Sequence, residues 1–272
     1  HAQKPKKRRV NTGFIGFTLA PRINAAGRIS SAEKAVELLL EEDHSSAAEK
    51  ARELCQINLR RQKEENAIAE AAYKTIEEKH DFENDRVIVL DDDTWQQGII
   101  GIVSSRITEK YGLPSILISF DGATRGYSSL DDVGKGSGRS IKGMNLVEAL
   151  LYCSDLLEKF GGHELAAGLS VTRENLPLFR EAINKYAEST LSEEDLVPSV
   201  SADIELSGDD IDIALAEQIR MLEPFGVGNP TPAFIVREAV VSDISGVSEG
   251  KHTRLALASG KKVLSAMYFS VS

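Results

Sequence analysis

Three glycines alternate with Lys135, Ser137 and Arg139 between residues 134 and 139, a pattern that suits anion binding. A glycine-rich loop lets its backbone approach a ligand closely, and its N–H groups can form a nest around an anion. Lysine supplies a positive charge, serine a hydroxyl group, and arginine a planar fork that binds phosphate with two hydrogen bonds. We therefore expect residues 134–139 to form a phosphate-binding loop. Taken alone, the same pattern also fits a solvated hairpin.

A second glycine-rich segment, Gly161-Gly162-His163, follows an amphipathic stretch. Apolar residues recur in that stretch at helical spacing and predict a helix that begins near Asn145 and ends at Phe160. Gly161 then reads as the glycine that caps the helix C-terminus. In isolation, His163 fits a capping or packed side chain as well as a ligand-binding one.

These two segments in this order resemble the DHH-associated domain of the DHH phosphoesterase superfamily. The resemblance rests on Gly-Ser-Gly-Arg-Ser at 136–140, the amphipathic stretch, and Gly-Gly-His-x-x-Ala-Ala-Gly at 161–168. More narrowly, the chain is similar to the RecJ family of single-strand-specific 5′-to-3′ exonucleases. The family resemblance implies that Ser137 and Arg139 hold the 5′ phosphate of a DNA strand and that His163 lies at the scissile end, with Gly161 and Gly162 also binding the substrate.

An arginine-containing segment near the N-terminus extends the resemblance. Residues 19–28 place small side chains between polar ones and resemble the RecJ segment at the junction of the catalytic domain and the linker helix. We expect Arg22, Asn24 or Arg28 to face the DNA cleft, with hydrogen bonds at a domain interface as the alternative. A further similar segment follows Trp95, where the family commonly has a histidine and this chain has Gln96.

Residues 30–79 predict two helices. The capping-box pattern Ser-x-x-Glu occurs at 30–33 and again at 46–49, and the second opens a run to Lys79 without proline or glycine. The middle of that run, residues 60–66, is strongly polar, which is typical of a bridging helix. It resembles the long connector of RecJ-type enzymes, and a short coiled-coil contact is the alternative.

Residues 87–119 predict a βαβ unit. Apolar runs at 87–90 and 115–119 flank a helical stretch at 98–111 that glycine and proline end. Ligands of such units bind at the carboxyl ends of the strands. The aspartates at 91–93 follow the first strand. Three consecutive aspartates point in different directions, so we expect a solvated loop and no metal site.

The last third of the sequence predicts a second module. Short alternating strands at 233–241, 253–258 and 263–269 suggest a small barrel, and residues 222–230 resemble the segment that leads into the RecJ OB-fold. The fold class is therefore α/β: a βαβ-containing DHH-associated domain, preceded by a long connector helix and followed by a small, incomplete β-barrel of OB type. The expected domains are residues 1–45 (end of the DHH catalytic domain), 46–82 (connector), 83–192 (DHH-associated domain) and 196–272 (OB region).

The superfamily's hydrolytic chemistry needs aspartates and an Asp-His-His triplet that hold two metal ions. No such triplet occurs here, because Asp43-His44 is followed by serine and the other histidines are scattered. We therefore expect no catalytic residue and no metal ligand in this chain, and an isolated fragment that does not hydrolyse DNA. The resemblance implies that the full-length enzyme uses Mg²⁺ or Mn²⁺ held by the absent domain.

Composition limits the classes of partner. The net charge of −10 argues against a general nucleic-acid coat, so cations that bind DNA must be concentrated in one cleft. Cys55 and Cys153 form no metal-binding motif, which fits a reducing compartment and a cytoplasmic location. The longest apolar run, residues 98–103, is too short to span a bilayer, so no membrane association is expected.

The sequence thus predicts the substrate-gripping C-terminal portion of a single-stranded-DNA-specific exonuclease. Its expected partners are single-stranded DNA and, further, a single-strand-binding protein or other repair proteins. Two alternatives stay open. One is another DHH enzyme, such as an oligonucleotide or cyclic-dinucleotide phosphodiesterase, or the related appendage of alanyl-tRNA synthetase. The other is a non-catalytic module that binds single strands or a partner protein.

Overall fold

The computed structural model describes residues 10–120, 132–197, 199–248, 250 and 252–269. The chain divides into two compact units, residues 16–198 and residues 1–15 together with 199–272. Within the described ranges no helix is both long and apolar enough to cross a membrane.

A short helix α1 (Thr12–Phe14) and a π-helical stretch (Ile15–Leu19) come first in the chain. The helices of the larger unit follow: α2 (Ala20–Ile29), α3 (Glu33–Leu39), α4 (His44–Lys79), α5 (Gln97–Tyr111), α6 (Leu146–Tyr152) and α7 (Leu176–Thr190). Its strands are β1 (Ile88–Asp92), β2 (Ser115–Ser119), β3 (Val133–Arg139), β4 (Lys159–His163) and β5 (Ala166–Thr172).

Helix α4 is the predicted long connector, and at 36 residues it is about 54 Å long. Asp43 caps it, because its carboxylate accepts a hydrogen bond from the Ser46 backbone N–H at 2.8 Å. The helix therefore begins two residues before the predicted start at Ser46. The capping box predicted at Ser30 is also absent, since it is the Ser31 hydroxyl that accepts from the Glu33 N–H.

The two halves of α4 pack into different cores. Leu54 and Ile57 pack with alanines of α2 and α3. One face of the second half, from Ile68 to Ile76, packs on the sheet together with α5. Each half therefore has its own apolar partner, as a bridging element requires.

The polar middle of α4 is fixed by a network of side chains. Arg61 forms an ion pair with Glu65, and these side chains are only 12% and 13% exposed. Arg61 also donates to Asn58 Oδ1 at 3.0 Å. Arg106 of α5 donates to Glu65 at 3.3 Å and to Asn66 Oδ1 at 3.0 Å. The strongly polar residues 60–66 thus join α4 to α5.

The sheet of the larger unit has the strand order β1-β2-β3-β5-β4. The predicted βαβ unit is confirmed, because β1 and β2 are parallel and α5 connects them. The remaining pairs are antiparallel. Helices α4 and α5 cover β1 and β2 on one face, and α6 and α7 pack against the opposite face.

Residues 134–139 lie in strand β3, so the expectation of a phosphate-binding loop is wrong. Gly134, Gly136 and Gly138 face the core that α6 and α7 cover. A Cβ at Gly134 would lie 2.6 Å from a methyl group of Ile118, and a Cβ at Gly138 would lie 2.9 Å from one of Leu146. The glycines make room for core side chains, while the alternate residues point to the opposite face.

The predicted helix from Asn145 to Phe160 is also corrected. Asn145 does cap α6, but the helix ends at Tyr152. Phe160 and Gly161 lie in strand β4, so Gly161 is not a helix cap. Phe160 is apolar because it packs against the core of α6 and α7 from a strand, and its spacing happens to match a helical period.

The smaller unit contains strands at the predicted positions 253–258 and 263–269, but the strand predicted over 233–241 is interrupted after Ile235 and resumes at Val240. Strands β6 (Ile204–Glu205) and β7 (Phe234–Ile235) are parallel. Helix α8 (Ile213–Arg220) lies between them in sequence. Strands β8 (Val240–Val247), β9 (His252–Ser259) and β10 (Lys262–Phe269) form an antiparallel sheet of order β10-β9-β8. These described strands do not close into a barrel.

Candidate functional site

Arg139 lies at the end of β3 on the face of the sheet that α5 partly covers. Its Nε donates to Ser105 Oγ at 3.1 Å, and its Nη1 donates to Ser137 Oγ at 3.3 Å and to the Gly138 carbonyl at 2.7 Å. Among the residues that the structure describes, no carboxylate lies within ion-pair distance of this guanidinium. Among the described residues, its position is therefore fixed by neutral groups and no acidic group compensates its charge.

A row of small residues on α5 makes this arrangement possible. Gly98, Gly101 and Ser105 are three and four residues apart and so lie on one helix face. A Cβ at Gly101 would lie 2.8 Å from Ser137 Oγ and 3.3 Å from Arg139 Nη2. These residues are not among the candidates predicted from the sequence, although their helical spacing is a signal that could have identified them.

Gly98 brings a second arginine to the site. A Cβ at this position would lie 2.0 Å from the Arg28 carbonyl oxygen, so only glycine allows α2 to approach α5 this closely. The Arg28 side chain donates to the Gly98 carbonyl at 3.4 Å. Burial lowers the pKa of Arg139, and the positive charge of Arg28 lowers it further. Two cations without an acidic partner repel each other, and an anion between them would remove that repulsion.

The register of the sheet places His163 on the same face as Arg139. Ala166 of β5 pairs with Arg139 on one side and with His163 on the other. Adjacent strands are about 4.8 Å apart, so the Cα atoms of Arg139 and His163 are about 10 Å apart. His163 is exposed. We call this side of β3, β5 and β4 the open face.

Gly161 and Gly162 have different structural requirements. Gly162 has φ +152°, and a Cβ there would lie 2.5 Å from the Ala166 carbonyl oxygen, so the backbone itself requires glycine. Gly161 points to the open face, and a Cβ there would have no atom within 4 Å. Packing therefore does not explain why residue 161 is glycine, whereas a ligand on the open face would.

The other predicted residues, near the N-terminus and α5, lie in different environments. Asn24 lies one helical turn from Arg28, and both line a groove of about 500 Å³ between α2 and α3. Arg22 instead donates to the Thr18 carbonyl one turn earlier in the chain. Trp95 is only 4% exposed and packs in the α4–α5 core, while Gln96 precedes α5 without capping it through its side chain.

Asp91 and Asp92 lie in β1, so the expectation of a solvated loop over residues 91–93 is wrong. Asp91 pairs with Arg180, and Asp93 pairs with Arg173 at 2.5 Å. Asp92 accepts a hydrogen bond from the Thr94 N–H at 2.7 Å. The described residues contain no group of three or more histidine, cysteine or acidic side chains that could hold a metal ion.

Comparison with family models identifies two domains in the chain. Residues 84–189 match the DHHA1 domain, and residues 202–272 match the RecJ OB domain. The class defined by the fold is thus a DHH-associated domain followed by an OB domain. On these two domains the chain belongs to the RecJ family and corresponds to its C-terminal region.

Relatives described as single-stranded-DNA-specific exonuclease RecJ match nearly the whole chain. The Bacillus subtilis protein is 36% identical over 261 residues, which are 96% of this chain and 32% of the relative. The Haemophilus influenzae protein is 33% identical over 267 residues, 95% of this chain and 45% of the relative. The chain thus spans from 32% to 45% of the length of these proteins.

Solved structures show the same fold. The crystal structure of Thermus thermophilus RecJ in complex with Mg²⁺ has a TM-score of 0.77 at 31% identity, over 96% of this chain and 38% of that one. The Mn²⁺ complex of RecJ from the same organism has a TM-score of 0.76 at 32% identity, over 91% of this chain and 35% of that one.

Proposed function

We propose that this chain is the substrate-gripping C-terminal portion of a single-stranded-DNA-specific 5′-to-3′ exonuclease. The observation that carries the proposal is the pair of Arg28 and Arg139 beside the Ser137 hydroxyl, for which the described residues supply no acidic partner. The two guanidinium groups repel each other, and burial of Arg139 strengthens that repulsion. A terminal phosphate supplies the missing negative charge and accepts hydrogen bonds from both guanidinium groups.

The residues of the site take separate roles. Ser137 and Arg139 hold the 5′ phosphate, and Arg28 adds a second positive charge from α2. Gly161 and His163 lie on the open face beside the scissile end of the strand. Asn24 contacts the strand one helical turn from Arg28. Arg22, which donates to the Thr18 carbonyl, is the remaining candidate for contact with the strand.

Hydrolysis is proposed for the longer enzyme. A DHH domain would bring the Mg²⁺ or Mn²⁺ ions, while this chain positions the strand and is inactive alone. We assign residues 1–45 to the end of that domain, 46–82 to the connector, 83–192 to the DHH-associated domain and 196–272 to the OB region. A cytoplasmic location fits the two cysteines, Cys55 and Cys153, which are both free.

Binding of a fluorescent single strand, with and without a 5′ phosphate, tests the proposal. We expect this chain to prefer the phosphorylated strand, and Arg139→Ala to lose that preference by about 10- to 100-fold, as for a charged hydrogen bond. Arg139→Lys keeps the charge but not the fork and is expected to restore only part of the preference. Arg52→Ala, at an exposed position on α4, is the matched control. Equal preference in Arg139→Ala and the unmodified chain would refute the assignment.

Binding of a partner protein is a second candidate function. Strands β8 and β10 expose large apolar side chains, among them Ile244 at 65%, Val263 at 68% and Phe269 at 66%. Exposed apolar patches of this kind mark contact surfaces. A single-strand-binding protein or another repair protein is a candidate partner, and titration of the chain with such a purified protein tests it. Loss of binding in Ile244→Glu is the expected result.

A further inference from the structure

The geometry points to a second set of phosphate contacts: we infer that Lys135 and Lys159 bind backbone phosphates of the DNA strand beyond its 5′ end. This inference rests on the proposed function. Both lysines lie on the open face. The row formed by Ser137 and Gly161 separates them from Arg139 and His163.

The register of the sheet sets these lysines in one row. Ser170 of β5 pairs with Lys135 of β3 on one side and with Lys159 of β4 on the other. Alternate residues of a strand share a face, so Lys135 lies on the same face as Ser137, and Lys159 on the same face as Gly161. The lysine Cα atoms, two strands apart, are about 10 Å from each other.

A row without bulky side chains separates the two cationic rows. Ser137, Gly168 and Gly161 pair across the three strands. Gly168 and Gly161 are exposed, and a Cβ at Gly168 would make only one ordinary contact, at 3.6 Å. The rows on either side are each about 6.7 Å away along the strands. The open face is thus a shallow trough with a glycine floor and cations along both sides.

No residue that the structure describes neutralises these lysines. Lys135 and Lys159 are exposed, and in the part of the chain that the structure describes no carboxylate lies within 4 Å of either ammonium group. The chain as a whole has 42 acidic against 32 basic residues. Unpaired cations on both sides of a trough therefore concentrate positive potential on this face, where a single strand can track.

Salt-dependent binding of short and long 5′-phosphorylated single strands tests the inference. Each lysine that contacts a phosphate contributes about 0.7 to the slope of log affinity against log salt concentration for single strands. We expect Lys135→Gln and Lys159→Gln each to lower the slope by about 0.7 for the long strand, and the double variant by about 1.4. The shortest strand should be unaffected. Lys185→Gln, an exposed lysine on α7, is the matched control.

The two proposals fail in different ways. A lower salt slope in the lysine variants, with the 5′-phosphate preference intact, supports phosphate binding by Lys135 and Lys159. If the salt slope falls in the lysine variants but Arg139→Ala keeps the phosphate preference, the 5′-phosphate assignment is overturned and the lysine contacts stand. A double variant with the same slope as Lys185→Gln would overturn the inference. All the substituted lysines are exposed, so thermal unfolding should be unchanged and serves as the check on folding.

Discussion

The carbonyl oxygen of Arg28 lies 2.0 Å from the position that a Cβ atom would take at Gly98. Helices α2 and α5 therefore touch backbone to backbone at this point. The contact sets the distance between Arg28 and Arg139, on which the proposed phosphate site depends.

Gly98→Ala should destabilise the larger unit and weaken DNA binding. The methyl group would meet backbone atoms of α2, which cannot move aside as a flexible side chain can. We expect a loss of about 1–3 kcal/mol in the free energy of unfolding, as for other overpacked sites, measured by urea denaturation.

Gly27→Ala is the matched control for that substitution. It lies inside α2, and its Cβ would meet only the Ala32 methyl at an ordinary 3.7 Å. Alanine is the better helix former, so we expect a gain of about 0.5–1 kcal/mol. Equal effects of the two substitutions would contradict the close approach of α2 and α5.

Gly161→Val and Gly162→Ala should separate binding from stability. Valine at 161 projects into the open face and should lower the affinity for single strands, while the free energy of unfolding changes by less than about 0.5 kcal/mol. Alanine at 162 must adopt a strained backbone, which costs about 1–3 kcal/mol. Measuring both properties for both variants provides the control, and a destabilised but binding-competent Gly161→Val would argue against the trough.

The stability of the larger unit should fall in mild acid because of His80. Its side chain is 6% exposed, and burial lowers its pKa although Asp85 and Asp81 act in the opposite direction. The unfolded chain therefore takes up the proton first as the pH falls below about 6.5. Stability is lost from that pH down to the lower pKa of the folded state, by about 1.4 kcal/mol for each unit between the two values.

His80→Phe should remove most of this dependence while keeping a ring beside Phe82, whose centroid is 4.6 Å from that of His80. Urea denaturation between neutral pH and about one unit below 6.5 measures it. His44→Gln, at the exposed start of α4, should retain the full decline. An unchanged slope in His80→Phe would assign the effect to other groups.

Cys153 should be unreactive in the folded chain. It is 1% exposed, and burial raises the pKa of its thiol to about 11, so the nucleophilic thiolate is nearly absent at neutral pH. A thiol reagent should modify only the partly exposed Cys55 until denaturant is added. In Cys55→Ser no fast phase should remain, and rapid labelling of that variant would contradict the burial of Cys153.

The sequence predicts the elements of the larger unit more reliably than the direction in which their residues point. Apolar runs and capping residues identify β1, α5, β2 and the Asn145 cap. The glycines of β3 mislead because alternation of glycine with polar residues is rare in strands. Only the positions of Ile118 and Leu146 across the core explain why side chains are excluded there.

The sequence likewise predicts single residues of the candidate site but not the residues that surround them. Family resemblance selects Ser137, Arg139 and His163, but the pairing of β5 with β3 and with β4 decides which residues stand beside them. Lys159 is distant from Lys135 in sequence and Gly101 is distant from Arg139. Strand order brings the first pair together, and the crossing of α5 brings the second together. Such relations depend on tertiary packing and have no local signal.

The two-part packing of α4 also bears on how this chain can change through evolution. One added residue rotates everything beyond it by about 100° and moves it by about 1.5 Å. An insertion between Ile57 and Ile68 would therefore rotate one of the two buried faces of α4 toward solvent while the other face stayed in its core. The helix should tolerate substitutions along its exposed surface but neither insertions nor deletions in its middle. The number of residues between its two buried faces is therefore constrained.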